Sequence, residues 1–233
     1  YGGPLWVEEI ANSEKLDLAD IFIQASVQTG LPYNEDFNGP SQEGAGYYQT
    51  NIRRGRRQST ARTFLELCKR RPNLTIATGA LCQQVLLEAG AAVGIEYQIS
   101  TGKKSRVGRA YASGEVILCG GVINSPQLLE LSGIGDRDYL GSLGVDVKHH
   151  LPGVGENLQD HLTVNIQQGL HGTPTFYEES RPLAMIKNLF KYLLRRDGLL
   201  AHPASQVGVF FRTSAAVDRP DAQVHFAPAA SEP

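Results

Sequence analysis

The sequence predicts an α/β fold with helices and strands mixed, and three observations carry that expectation. Residues 74–119 break into short β-prone runs separated by Gly-containing turns. Within them, Val116, Ile117, Leu118 and Cys119 form an apolar run without alternation, the pattern of a strand covered on both faces in a parallel sheet. Gly120 and Gly121 then lead through Asn124, Ser125 and Pro126 into a leucine-rich segment. Strand, glycine turn and helix in that order build layered α/β proteins.

In chain order, the segment from Asp17 predicts a helix with Leu18, Ile21, Phe22 and Ala25 on its core face, Asp17 as N-cap and Gly30 just past its end. Residues 31–49 are rich in Gly, Pro, Asn and acidic side chains and follow neither hydrophobic period, which predicts a long ordered or semi-ordered loop. Arg53, Arg54, Arg56 and Arg57 read as a solvated turn before a helix beginning near Ser59, with Lys69, Arg70 and Arg71 at its favourable C-terminal end. Past residue 73 the runs LTIAT, LCQQVLLE, AVGIEYQI, SRVGRAYA and EVILCGG predict strands, with EAGAA and STGKK as hairpin connections. Ser125 then supplies an N-cap, Pro126 a first helical residue, Leu128, Leu129 and Leu131 a buried face, and Gly133 a stop. A last helix over RPLAMIKNLFKYLLRRDG puts Leu183, Ile186, Phe190 and Leu193 on one side, expected to face a core, with Gly198 following.

The 233 residues are 41% hydrophobic and 20% charged, a composition that buries one sizeable core or two smaller ones. With 22 basic against 24 acidic side chains the net charge is −2, so no global field recruits nucleic acid, and the arginine cluster lacks the aromatic interleaving of a nucleic-acid surface. No apolar stretch approaches the ~20 residues of a membrane span. Cys68, Cys82 and Cys119 are odd in number and widely spaced, which fits neither a disulfide framework nor a zinc site. They are expected to be buried thiols in a reducing, cytoplasmic setting. The only methionine is Met185, and the ends of the chain suggest a segment of something longer.

Gly120 and Gly121 place bare backbone where the chain leaves the carboxyl edge of the predicted sheet, the edge beyond which ligands bind in open α/β folds. A flat cofactor or a phosphate approaches the backbone closely there. The stretch GGVINSPQLLELSGIG resembles the second signature of the glucose-methanol-choline (GMC) family of FAD-dependent alcohol oxidoreductases. DFNGPSQEGAGYYQTNIRRGRRQSTARTFL, RPNLTIATGALCQQVLLEAGAAVGIEY and LGVDVKHHLPGVGENLQDHL are similar to further family segments in family order, and the wording is nearest to bacterial choline-dehydrogenase-like members.

The resemblance implies part of a glutathione-reductase-type FAD-binding domain interleaved with part of a substrate domain. Residues 1–50 would be a connecting or substrate-domain segment, 51–150 the central part of the FAD domain, and 151–233 the start of the substrate domain. It implies FAD as cofactor, a small-molecule alcohol oxidised to an aldehyde by hydride transfer to the flavin, and an electron acceptor left open. Cys82 stands where the family makes a backbone contact to the adenine, usually through valine. Gly120 and Gly121 match the family's glycine turn near the cofactor.

Two departures limit what this chain does alone. GVGENL, GIGDRD and GAGYYQ each lack the third glycine of a Gly-x-Gly-x-x-Gly pyrophosphate loop. None of the six histidines, among them His149, His150, His161 and His202, occupies the context of the family's general base, so no catalytic residue is assigned within the chain. The chain alone is therefore expected to be inactive. The competing reading is a non-catalytic remnant or interaction protein that keeps the scaffold without flavin.

Overall fold

A computed structural model describes residues 2–10, 15–102, 104–170, 172–173 and 175–229. The architecture mixes helices with strands, as the composition of the runs predicts. The chain divides into two compact units: Tyr1–Leu74 with Asn165–Pro233 (unit 1), and Thr75–Val164 (unit 2).

Unit 1 begins with α1 (Asp17–Gln28), whose buried residues are Leu18, Ala19 and Ile23. The predicted face is rotated: Ile21 points to solvent, and Leu16, with no side-chain cap, occupies the N-cap position predicted for Asp17. Ala19 and Ile23 pack on β1 (Gly44–Tyr47) and β9 (Val207–Phe211), with Ala45, Val207 and Val209 closing the core. β10 (Ala222–Phe226) completes an antiparallel sheet of order β1-β9-β10. The Phe22 and Phe226 rings stack with centroids 4.6 Å apart.

β1 lies inside the stretch predicted as loop. Its glycines gave no strand signal, yet they are what lets the chain run against a third segment. The Asn34 N–H donates to Ala45 O and the Ala45 N–H to Pro32 O, both at 2.9 Å.

The arginine stretch forms a two-strand hairpin, β2 (Ile52–Arg53) with β3 (Arg56–Arg57), turning at Arg54 and Gly55, both with positive φ. The helix expected near Ser59 follows as a π-helical turn, Ala61–Leu65, continued by α2 (Glu66–Cys68). Further on, α5 (Phe176–Glu179) opens with a capping box between Thr175 and Glu178.

α6 (Pro182–Arg195) matches the predicted span, with Pro182 at its first position and Arg196 closing it in the left-handed conformation. Its orientation differs from expectation. Leu183 is 85% exposed, and Ile186, Phe190 and Leu193 are exposed as well. The inward residue is Asn188, whose amide donates to the Glu179 carbonyl (3.2 Å) and carboxylate (2.9 Å). Hydrophobic periodicity identifies a stripe but not what lies against it; here a buried polar anchor sets the rotation.

Tyr47 donates its hydroxyl to Asp20 Oδ1 at 2.8 Å, joining β1 to α1. Burial, and then the Asp20 carboxylate, push its ionisation far above the ordinary phenol value of 10.0. The folded state therefore holds the neutral form, so this contribution is complete below about pH 10 and is lost as pH rises beyond it. Denaturation followed against pH is expected to show the native chain losing stability above that value more steeply than Tyr47→Phe.

Unit 2 is built on an antiparallel meander of β4 (Ala80–Glu88), β5 (Ala91–Thr101) and β6 (Lys104–Tyr111). These are three of the predicted strands. LTIAT is not one, and neither is Val116–Cys119, which has no regular structure and no ladder partner among the described residues. Val116 and Leu118 are half-buried while Ile117 and Cys119 are exposed, so the run is covered on one side only. A strand covered on both faces needs neighbours on both edges and a layer on each side, and the meander supplies neither.

α3 (Gly121–Leu131) packs on β4. β7 (Ile134–Gly135) pairs in parallel with β8 (His149–His150), and α4 (Arg137–Ser142) lies between them in sequence. Asp136 caps α4, its Oδ1 accepting from the amides of Asp138 (3.0 Å) and Tyr139 (2.9 Å). Among the described residues no helix is long and apolar enough to cross a membrane.

Candidate functional site

Unit 2 holds a cleft of about 550 Å3 between the β4–β5–β6 sheet, the irregular 115–120 segment and the start of α3. Leu81, Cys82 and Ile95 contribute from the sheet, Val116 and Leu118 from the irregular run, and Leu128 from the helix. Ladder pairing sets Cys82 opposite Tyr97, and a register shift follows directly between Cys82 and Gln84. Such a bulge twists the strand and re-aims the side chains beside it.

Of the three residues singled out in the sequence, Cys82 and Gly120 face this cleft together. Gly121 is not among its lining residues. Both glycines also answer to local geometry. Gly121 has φ +80°, a backbone state side chains rarely adopt, and a Cβ on Gly120 would lie 3.0 Å from the Asn124 Cβ.

Ser125 is not the helix cap. The helix starts at Gly121 with Pro126 inside it, and Ser125 Oγ reaches back to accept the Gly120 N–H at 2.9 Å. This hydroxyl pins the turn, and the Gly120 amide is already bonded. The lining here is mostly apolar and small, with Tyr111, Asn124, Ser125 and Gln127 as its neutral polar side chains.

The cysteines are free but not all buried: Cys68 and Cys82 are half-buried and Cys119 is exposed. Burial pushes the Cys82 thiol above its usual range, so it stays protonated at neutral pH and acts as a small apolar wall rather than a nucleophile. Among the described residues Glu115 is the single charged side chain in the lining, and no motif in the sequence marks it. Its only signal was position, a carboxylate opening an apolar run.

The Ser-Gly-Ile-Gly ending of the signature has a structural role. Ser132, 1% exposed, accepts the Val85 N–H at 2.8 Å and donates to Leu128 O at 2.5 Å, tying α3 to the free edge of β4. Gly133 (φ +84°) then turns the chain into β7, where a Cβ would lie 2.3 Å from Asp146 O.

Among the described residues no histidine lines the cleft. His149, His150 and His161 are exposed, and His150 Nδ1 accepts the Arg137 N–H at 3.1 Å. His202 belongs to unit 1, its Nε2 3.7 Å from Asp197 Oδ1. Among the described residues no group of His, Cys, Asp and Glu is arranged to hold a metal.

A pocket of this size lies within the range of about 300–1,000 Å3 usual for small ligands and cofactors. Apolar walls, small residues and a single carboxylate suit a flat uncharged ring with hydroxyls. They do not suit a diphosphate, for which the lining offers no cation. The residues present therefore fit the adenosine end of FAD and not its pyrophosphate.

A family model described as GMC oxidoreductase matches residues 3–163. The chain belongs to the GMC oxidoreductase family, whose members are FAD-dependent and whose N-terminal domain binds the cofactor. It is 43% identical to human mitochondrial choline dehydrogenase over 226 residues, covering 97% of this chain and 37% of that protein. It is 40% identical to the oxygen-dependent choline dehydrogenase of Stenotrophomonas maltophilia over 240 residues, covering 98% of this chain and 40% of that one.

Among solved structures, pyridoxine 4-oxidase from Mesorbium loti is similar with a TM-score of 0.74 at 28% identity, over 98% of this chain and 40% of that one. An Aspergillus oryzae formate oxidase reaches a TM-score of 0.79 at 22% identity, over 97% and 43%, a likeness of fold. The chain thus spans about two fifths of the length of the relatives it matches.

Proposed function

We propose that this chain is the central portion of an FAD-dependent alcohol oxidoreductase that converts a small alcohol, choline being the first to test, to its aldehyde. The observation that carries the reading is the convergence of Cys82 and Gly120 on one apolar cleft in a chain of GMC sequence. Cys82 offers its backbone to the adenine edge, and Gly120 and Gly121 keep the turn free of side chains beside it. Bound FAD would supply the acceptor for the hydride of the alcohol carbon.

Residues 51–150 are assigned to the FAD domain, with 1–50 and 151–233 contributing to substrate-domain structure. The pyrophosphate loop and the proton-accepting base come from other parts of the enzyme, so the chain alone binds weakly and does not turn over. Its three free thiols support a reducing compartment, with the cytoplasm proposed. The choline dehydrogenases of human and Stenotrophomonas support choline as substrate, and the electron acceptor is left to experiment.

The test is anaerobic mixing of the purified parent enzyme with choline. Bound flavin that loses its visible absorbance supports the reading; a colourless protein that FAD neither stabilises nor colours points to a scaffold without the chemistry. Cys82→Trp in the parent fills the cleft and is expected to weaken FAD retention at least about tenfold, or ~1.4 kcal/mol, read from released flavin fluorescence.

A further inference from the structure

Unit 1 contains a separate cavity of about 560 Å3 that has no part in the flavin reading. Its walls are residues 8–10, the tip of the β2–β3 hairpin, the C-terminal end of α6 and residues 201–203. Glu8 and Glu9 are among its lining residues, as are Arg54, Arg195 and Arg196; the Glu8 carboxylate accepts the Trp6 Nε1–H and the Arg196 guanidinium stacks on the Tyr192 ring. Asp197 also lines it, beside His202.

The backbone fixes these walls. Glu8 and Thr50 exchange N–H···O bonds of 2.9 and 2.8 Å. Gly55 sits so near α6 that a Cβ on it would lie 2.3 Å from Arg196 O.

Two features separate this cavity from an ordinary charged surface. Arg54 and Arg196 both hold left-handed backbone, at φ 50° and 58°, a state that Gly or Asn adopts at less cost. Long cations therefore stand where the turns themselves favour small residues. Among the described residues, none of the three arginines forms an ion pair with Glu8, Glu9 or Asp197. With Glu8, Arg196 and Asp197 engaged by Trp6, Tyr192 and His202, residues of opposite charge that form no ion pair with each other, Glu9 against Arg54 and Arg195, line one space. A simple anion is drawn to the arginines and repelled by the glutamates, and a simple cation meets the reverse. A molecule carrying both signs gains from both walls.

We propose that this cavity binds a small zwitterion, an ammonium carboxylate, with its carboxylate toward Arg54 and Arg195 and its ammonium toward Glu9. Guanidinium groups recognise carboxylates through paired N–H donors.

The experiment is isothermal titration calorimetry of the full chain at low ionic strength with 4-aminobutyrate, butyrate and butylammonium. 4-Aminobutyrate is expected to bind at least about tenfold more tightly than either singly charged analogue. Arg54→Asn, which suits the left-handed turn and preserves the fold, is expected to weaken 4-aminobutyrate about fivefold. Glu9→Gln is expected to weaken 4-aminobutyrate and strengthen butyrate. Equal affinity for the three probes, no measurable binding of any, or an Arg54→Asn variant that binds as the native chain does overturns the proposal.

Discussion

Gly46→Ala is expected to destabilise unit 1 by about 3 kcal/mol or more, a large fraction of the stability of a typical domain. The added methyl carbon would lie 2.0 Å from the backbone oxygen of Asn34, and 3.5 Å from the Phe37 ring. The near neighbour is main chain rather than the end of a flexible side chain, so it cannot rotate away. Residues 32–34 are held to β1 by the two Ala45 hydrogen bonds, and on its other edge β1 pairs with β9 from Gly44 to Tyr47. Phe37 is itself packed edge-on to Phe210, with centroids 4.9 Å apart. Relief thus requires breaking ladder bonds or opening the core around Ala45. Trp6, the one tryptophan, lies in unit 1, so its fluorescence in urea reports this unit. The midpoint should fall with little change in slope. Gly169→Ala, with nothing within 4 Å of the added carbon, is the control expected to stay within about 0.5 kcal/mol. An unchanged midpoint for Gly46→Ala would mean that β1 does not run against residues 32–34.

That strand also shows why part of the fold was illegible in the sequence. Gly44, Ala45 and Gly46 carry no hydrophobic pattern, because the strand serves by being thin. β4, β5 and β6 were legible because β-prone runs, glycine turns and strand length are all local properties. Val116–Cys119 misled because its apolar run is local while the neighbours that make a strand are not. The same distinction runs through the candidate site. The signature points to Gly120 and Gly121 and the family resemblance to Cys82; Gly120 and Cys82 line the cleft and Gly121 does not. The place of Ser125 before Pro126 predicts a cap, although its hydroxyl serves the turn behind it. Glu115 went unnoticed because one carboxylate before an apolar run has no spacing partner to mark it.

Ser132→Ala is the second large effect expected, and it connects the family signature to the cleft. The hydroxyl is 1% exposed and is bonded on both sides, to Val85 N and Leu128 O. Val85 is itself buried, and among the described residues β4 has its sheet partner only on the β5 side, so none of them replaces the lost acceptor. An orphaned buried N–H costs about 1–3 kcal/mol, whereas the Leu128 carbonyl keeps its place in α3 and loses little. The expected destabilisation of unit 2 is therefore about 2 kcal/mol, which corresponds to roughly 30-fold faster exchange of the Val85 amide where opening is local. Ser132→Thr separates this account from one based on packing. It restores the acceptor but adds a methyl in a filled site, so amide protection should recover more than overall stability does. Because Leu81 and Cys82 on β4 and Leu128 on α3 line opposite sides of the cleft, slackening this tie should also weaken FAD retention in the parent enzyme. An alanine variant with native Val85 protection and undiminished flavin content would show that the serine is not what holds the two walls together.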